Sequence, residues 1–372
     1  MVAGEASGDM LAASLISGIV NRWPGAKLAG IGGPKMIAKG FDAWWPSEKL
    51  AVRGYVEVLR HYREIVGIRS QLKARLMAQK PDIFLGVDAP DFNLDLEEAL
   101  QASGVKTVHF ICPSIWAWRP HRVEKIRKSA RHVLCIFPFE VDLLREHGID
   151  ATYVGHPLAH LIPEQADRVG ARALLGLGAS EPVVAILPGS RQSEIKYLAD
   201  RFFEAAALVK KAKPDTQFIV PVMASLRAQV TEAAQNAGML PHLKLLDGQS
   251  HAALAACDVT LVASGTATLE AALFKRPMVI AYNMNWLSWQ IMRRKKLQPW
   301  VGLPNILCRD FVVPEFIQEA ATPQALAGAL LDWIANPGKV ESLQRRFGEL
   351  HAQLTRDTAK LSTDAIQQVL QG

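Results

Sequence analysis

Short, nearly continuous apolar runs alternate along the chain with longer stretches whose apolar residues recur at helical spacing. The runs cover residues 28–31, 83–87, 107–111, 132–136, 183–187, 217–222, 243–246, 259–262 and 278–282. Most are rich in β-branched residues and are closely followed by Gly, Pro or Asp. Strands buried on both faces of a parallel sheet read this way. Helical patterns lie between them, over residues 9–22, 63–79, 94–102, 195–211 and 226–237. Alternating strand and helix predicts a doubly wound α/β fold. The rhythm weakens over residues 156–179, where two prolines and several charges intervene, and then restarts. A lobe boundary is placed there. The rhythm breaks again after Met284: residues 285–300 are aromatic and basic, and residues 323–372 read as mostly helical.

Length and composition agree with two folded lobes. The chain has 372 residues, with 49% hydrophobic and 21% charged residues, which is long for one core and too apolar for disorder. The surplus of +6, from 42 basic and 36 acidic residues, is mild: it suits an anionic small substrate or membrane surface and is only weak evidence for nucleic acid, which is not expected as a partner. Cys112, Cys135, Cys257 and Cys308 are far apart with no CxxC pair, so buried thiols are expected. No basic segment precedes the apolar run 10–20, so no signal peptide is read, and no stretch nears the roughly 20 apolar residues of a membrane span.

Four strand-to-helix turns carry candidate chemistry. The first, Val2 to Asp9 (VAGEASGD), offers Gly4 and Gly8 for tight backbone turns and Ser7 or Asp9 as a helix cap. It lacks the GxGxxG pattern of a dinucleotide site. Only Met1 and Val2 stand before the loop, so the first strand reads as cut short, or the chain as beginning downstream of its natural start. The second turn, after residues 83–87, holds Asp88 and Asp91 in VDAPDFN. Asp88, at the strand tip, is the better general base. Asp91 caps the next helix or orients Asp88, although both acids are also ordinary turn residues. The proline between them breaks any metal-binding DxD pattern, and no metal or cofactor is expected.

In the third turn, LPGSRQSE, backbone N–H groups around Gly189 and Ser190 with the forked cation of Arg191 suit a diphosphate. The alternative is an N-cap by Ser190 beside an exposed Arg. In the fourth, Ser264, Gly265 and Thr266 form a second anion-receptive turn, and Glu270 one helical turn later can take a ribose diol or simply favour the positive helix end. Two further stretches mix aromatics with cations. One holds Trp286, Trp289, Arg293, Arg294, Lys295 and Lys296, and residues 44–76 hold Trp44 and Trp45 with several Arg. Both suit an anionic membrane interface, or core aromatics beside a solvated face. The segment SIWAWRPHR (residues 114–122) reads as an anion clamp or a cation–π patch.

Together, VAGEASGD, PDIFLGVDAPDFN, PSIWAWRPHRV, LPGSRQSEI, ASGTATLEAAL and GLPNIL resemble the lipid-A-disaccharide synthase family, in order and spacing along essentially the whole chain. The resemblance implies a GT-B fold: two Rossmann-like doubly wound lobes facing across a cleft. Residues 1–160 would form the acceptor-side lobe, completed by C-terminal helices over about 345–372, and residues 161–344 the UDP-sugar lobe. The implied reaction transfers 2,3-diacylglucosamine from UDP-2,3-diacylglucosamine to the 6-hydroxyl of 2,3-diacylglucosamine 1-phosphate. It releases UDP and forms a β(1→6) disaccharide with inversion. Asp88 would be the base. Glu5, Ser7, Gly8 and Asp91 would line the acceptor side. Gly189, Ser190, Arg191, Ser264, Gly265, Thr266, Glu270 and Asn305 would hold UDP. The implied location is the cytoplasm, peripheral on the cytoplasmic face of the inner membrane, and a homodimer is compatible with the sequence. A GT-B-related UDP-sugar epimerase and a non-catalytic lipid or nucleotide binder are the alternatives. The aromatic–basic stretches speak against the epimerase.

Overall fold

The computed structural model of the chain describes residues 1–50, 55–117, 120–295 and 297–372, with backbone alone at 5–7, 55–62, 287, 288, 291 and 295. The chain divides into two compact units, one of Met1–Pro157 with Leu354–Gly372 and one of Leu158–Gln353.

The first unit is built on seven strands: β1 (Val2–Ala3), β2 (Ala29–Gly32), β3 (Asp42–Pro46), β4 (Ile83–Val87), β5 (Lys106–Phe110), β6 (His132–Cys135) and β7 (Ala151–Tyr153). They pair in parallel in the order β3-β2-β1-β4-β5-β6-β7. The chain winds outward one way from β1 and the other way from β4. A crevice therefore opens at the carboxyl ends of those two central strands, where such folds bind ligands. The last helix, Thr358–Gln371, belongs to this unit and lies against the first, Glu5–Arg22, where Arg22 pairs with Asp364 and Gln367.

The second unit repeats the plan with six strands: β8 (Val183–Leu187), β9 (Gln217–Val222), β10 (Leu243–Asp247), β11 (Val259–Ala263), β12 (Met278–Tyr282) and β13 (Glu315–Ile317). The order is β10-β9-β8-β11-β12-β13, again all parallel. Its switch point lies between β8 and β11. Every residue of those two strands is buried, which their unbroken apolar runs require. Two parallel-sheet α/β units of this kind make a GT-B fold.

All nine strands read from the sequence occur, within one or two residues of their expected ends. Beyond these and the central two-residue β1, which the sequence showed only as a strand cut short, the strands it missed, β3, β7 and β13, lie at sheet edges. An edge strand need not be apolar on both faces, so it lacks the signal. In β3, Trp44 and Trp45 pack half-buried against the core around Ile31 and Phe84, and the Arg75 guanidinium stacks on Trp44 at 3.6 Å. Trp44, Trp45 and Arg75 of this aromatic–basic stretch thus pack on their own unit, while residues 51–54 and the side chains of 55–62 lie outside the described residues. Cys112, Cys135 and Cys257 are buried free thiols and Cys308 is half-buried.

One buried acid makes the fold sensitive to pH. Glu140 sits in an aromatic nest with Trp116, Phe137 and Phe139. It accepts from Trp116 Nε1 at 3.0 Å and from the Phe137 N–H at 3.1 Å. Burial outweighs these bonds and pushes its pKa up to about 8 from 4.5. Between those values the unfolded chain ionises Glu140 while the native chain keeps it neutral. Stability therefore falls as pH rises from 4.5 and levels off above about 8. The loss is on the order of 5 kcal/mol. Thermal unfolding from pH 5 to 9 should show this decline in the wild type and a flatter profile in Glu140→Gln. Parallel profiles would refute it.

Candidate active site

In the first unit the switch point presents Asp88. The chain leaves β4 through two consecutive left-handed residues, Asp88 (φ 52°) and Ala89 (φ 44°). Non-glycine residues adopt this conformation at a cost, so the surroundings must impose it. The Asp88 N–H donates to Phe110 O at 3.0 Å, and Asn93 Nδ2 donates to Asp88 O at 2.8 Å. Pro90 then starts the helix Pro90–Ala102 at a position needing no N–H. The turn meets the end of β1, since a Cβ on Gly4 would lie 3.2 Å from that of Ala89. Burial raises the Asp88 pKa, while His109 and the Ala89 N–H offset part of the rise. A carboxylate tuned upward is a better proton acceptor near neutral pH.

The other residues expected on the acceptor side divide. Gly8 is buried against Ala3 and Val87 O. The side chains of Glu5 and Ser7 lie outside the described residues. Asp9 does not cap its own helix, whose N-cap is Gly4 without a side-chain bond. Its carboxyl instead accepts from the N–H groups of Gly33, Lys35 and Met36, each at 3.0 Å, and so caps the helix Pro34–Ile37. Nor does Asp91 serve as an N-cap; that position is Ala89, and the exposed Asp91 carboxyl pairs with Arg122. In SIWAWRPHR, Trp116 belongs to the Glu140 nest, while Trp118 and Arg119 lie outside the described residues.

In the second unit, the turns after β8 and β11 border one cavity of about 350 Å³. Gly189, Ser190, Arg191, Ser264, Gly265, Thr266 and Glu270 all line it. Gly189 has φ 127°, and a Cβ there would meet that of Glu194 at 2.4 Å, so the turn demands glycine. The N-cap of the following helix, Gln192–Ala212, is Arg191 rather than Ser190. Sequence reasoning missed the occupant of this turn. The Glu194 carboxyl accepts from the Ser190 N–H and from Arg191 Nη1, both at 2.8 Å. Its signal was present: an acid three residues after the N-cap is the capping-box position. The donors suited to a phosphate thus hold an internal anion. Across the cavity the helix Thr266–Leu273 starts at Gly265 with no side-chain cap, which leaves its first N–H groups available to an anion. Glu270 lies 3.7 Å from His251 Nε2.

Asn305 does not join this cavity. It is fully buried, and its amide is spent: Nδ2 donates to Val313 O at 2.9 Å and Glu315 Oε1 at 2.8 Å, and Oδ1 accepts from the Val313 N–H at 3.0 Å. Glu315 in turn accepts from the N–H groups of Val301 and Gly302. Ser264 Oγ donates to Val301 O, and the Leu303 N–H donates to Thr268 Oγ1. Asn305 therefore fixes the loop packed against the Ser264–Thr268 turn and offers no free group to a ligand.

The later aromatic–basic stretch forms the helix Trp286–Lys295, with Trp286 64% exposed, Trp289 half-buried, and Arg293 and Arg294 exposed. The side chain of Lys295 and all of Lys296 lie outside the described residues. Among the described residues no helix is long and apolar enough to cross a membrane, and no cluster of three or more His, Cys, Asp or Glu could hold a metal ion.

The family model described as Lipid-A-disaccharide synthetase matches residues 1–369. Proteins named lipid-A-disaccharide synthase are similar along the full chain. That of Albidiferax ferrireducens is 66% identical, that of Verminephrobacter eiseniae 62% and that of Burkholderia thailandensis 50%. Each match covers 100% of this chain, and 97%, 96% and 96% of the relative. Among solved structures, a putative UDP-N-acetylglucosamine 2-epimerase from Listeria monocytogenes aligns with TM-score 0.66 at 13% identity, covering 98% of this chain and 94% of that one. MurG of Acinetobacter baumannii aligns with TM-score 0.61 at 13% identity, covering 99% and 98%. These two share the fold.

Proposed function

The chain belongs to the lipid-A-disaccharide synthase family of glycosyltransferases, which serve lipopolysaccharide biosynthesis, and from that premise we propose how its residues divide the reaction. UDP-2,3-diacylglucosamine binds the second unit, with its diphosphate on the Gly189–Arg191 and Ser264–Thr266 turns and its ribose on Glu270. Asp88 takes the proton from the 6-hydroxyl of 2,3-diacylglucosamine 1-phosphate as that oxygen attacks the anomeric carbon. The bond from that carbon to the diphosphate breaks, and UDP leaves with the electron pair. Displacement from the opposite face inverts the centre and gives the β(1→6) linkage. Arg191 and the helix-start N–H groups relieve the charge growing on the leaving diphosphate. Asn305 acts by holding the loop behind the Ser264–Thr268 turn.

The observation that carries this reading is the convergence of the two turns and Glu270 on one cavity at the switch point of the second unit. Its test is stoichiometric. Donor and acylated acceptor together should yield UDP and disaccharide one to one, and donor alone should yield neither UDP nor epimer. Conversion of the donor without acceptor would favour the epimerase instead.

Acyl chains call for an apolar surface, and the exposed Trp286, Leu297 and Phe311 of the second unit, with Arg293 and Arg294, support docking on an anionic membrane. Neutral replacements at Arg293, Arg294, Lys295 and Lys296 should reduce flotation with anionic vesicles by severalfold, with activity on detergent-dispersed substrates largely kept. Unchanged flotation would count against membrane docking.

A further inference from the structure

Behind Asp88 lies a buried polar group of three side chains that the mechanism above does not use. His109 on β5 sits opposite Gly86 on β4 in the parallel register. Its Nδ1 lies 2.8 Å from Glu97 Oε1, and both side chains are fully buried. Glu97 reaches across from the helix Pro90–Ala102 because Gly86 has no side chain: a Cβ there would fall 1.9 Å from Glu97 Oε1. One helical turn earlier, Asn93 grips the Asp88 carbonyl. Three buried atoms of this group, His109 Nε2, Glu97 Oε2 and Asn93 Oδ1, have no hydrogen-bond partner among the described residues. Such groups are costly to bury and are retained where a site needs them.

We propose that the Glu97–His109 couple is a positioning device for the Asp88 base. Glu97 fixes the imidazole ring, and the ring's charge stands behind the Asp88 carboxylate and favours its ionised form. The proposal rests on the reading of Asp88 as the base. Its geometry is a closed path: β4 delivers Asp88, β5 delivers His109 beside it, and one helix supplies both the carboxyl that holds the ring and the amide that holds the turn. Electrostatics run the same way. Burial alone would lower the His109 pKa, but Glu97 and Asp88 together raise it, and His109 is in turn the main charge lowering that of Asp88.

Among the described residues, the charge acting on Asp88 is that of His109 from β5; on the adjoining helix, Glu97 is turned to His109 and Asp91 to Arg122. On the first helix, Asp9 is spent on the Gly33, Lys35 and Met36 amides, and the side chain of Glu5 lies outside the described residues. Beside His109, the neighbours in register are Gly86 and Val133, neither charged.

The test is the pH dependence of kcat/KM. Activity rises with pH as the base ionises. Removing the imidazolium (His109→Gln), or its anchor (Glu97→Gln), makes the base harder to ionise and moves the rising limb to higher pH, by about one pH unit. Activity below the limb should fall about tenfold and recover toward the wild-type plateau above it. A merely structural role would lower activity at every pH and leave the limb in place, and that result overturns the proposal. Should His109→Gln fail to fold, Glu97→Gln decides alone, because it keeps both the ring and the shape of its partner. Asp88→Asn separates the two readings. Near-normal turnover in Asp88→Asn removes the base itself. An inactive Asp88→Asn beside unshifted limbs in the other two variants removes only the couple.

Discussion

An Asp88→Ala enzyme is expected to lose about 10³-fold in kcat while binding UDP as the wild type does. General-base catalysis is worth roughly 10²–10⁴, and three features of Asp88 keep it clear of the low end of that range. It stands at the carboxyl end of a central strand beside the switch point of its sheet. Its backbone is held left-handed by bonds from both flanking elements. Burial makes it more basic than an ordinary carboxylate. The deficit should lie in kcat more than in KM, because the proton moves only as the new bond forms. Asp88→Glu keeps the charge but lengthens the side chain in a tightly fixed turn, so it should recover a small part of the loss. Steady-state kinetics at saturating donor and acceptor check both. A loss below tenfold in Asp88→Ala would move the base elsewhere.

The second large effect belongs to Arg191. Replacing it with Ala should weaken UDP binding by about 10–100-fold, the range of one or two charge-assisted hydrogen bonds. It should lower kcat/KM by about 10²–10³, because the diphosphate gains charge as it leaves. The structure adds a twist. In the wild type, Arg191 and the Ser190 N–H hold the Glu194 carboxyl, which must give way to a phosphate. Without the guanidinium, Glu194 would stand at the cavity as an uncompensated negative charge. Arg191→Ala combined with Glu194→Ala should therefore bind UDP more tightly than Arg191→Ala alone. Arg191→Lys should restore only part of the affinity, since an ammonium cannot offer the planar fork. Calorimetric titration of UDP against the three variants decides. Equal affinity in wild type and Arg191→Ala would show that the diphosphate does not use this turn.

The elements most legible in the sequence were those whose burial is symmetrical. Strands β8 and β11 are sealed on both faces and read at once as continuous apolar runs. The glycine turns beyond them were equally visible, because the backbone of Gly189 admits no side chain. What stayed hidden depends on partners distant along the chain. Asp9 looked like a cap for its own helix, yet its acceptors serve amides 24 to 27 residues away. Asn305 looked like a ligand in GLPN, but its three hydrogen bonds close on Val313 and Glu315. The Glu97–His109 pair was invisible because only the parallel register of β4 and β5 and the bare Gly86 bring it together. Asp88 stood out because an acid at the end of a buried strand is conspicuous from sequence alone.

The central claim is a division of labour: a carboxylate of the first unit handles the acceptor's proton, and the turns of the second unit hold the nucleotide. The most direct test is to titrate UDP into Asp88→Asn by calorimetry and to follow disaccharide formation by the same protein sample. The account predicts a UDP dissociation constant within about twofold of the wild type, with transfer reduced about 10³-fold. Near-normal transfer, or UDP affinity lost together with turnover, would contradict it.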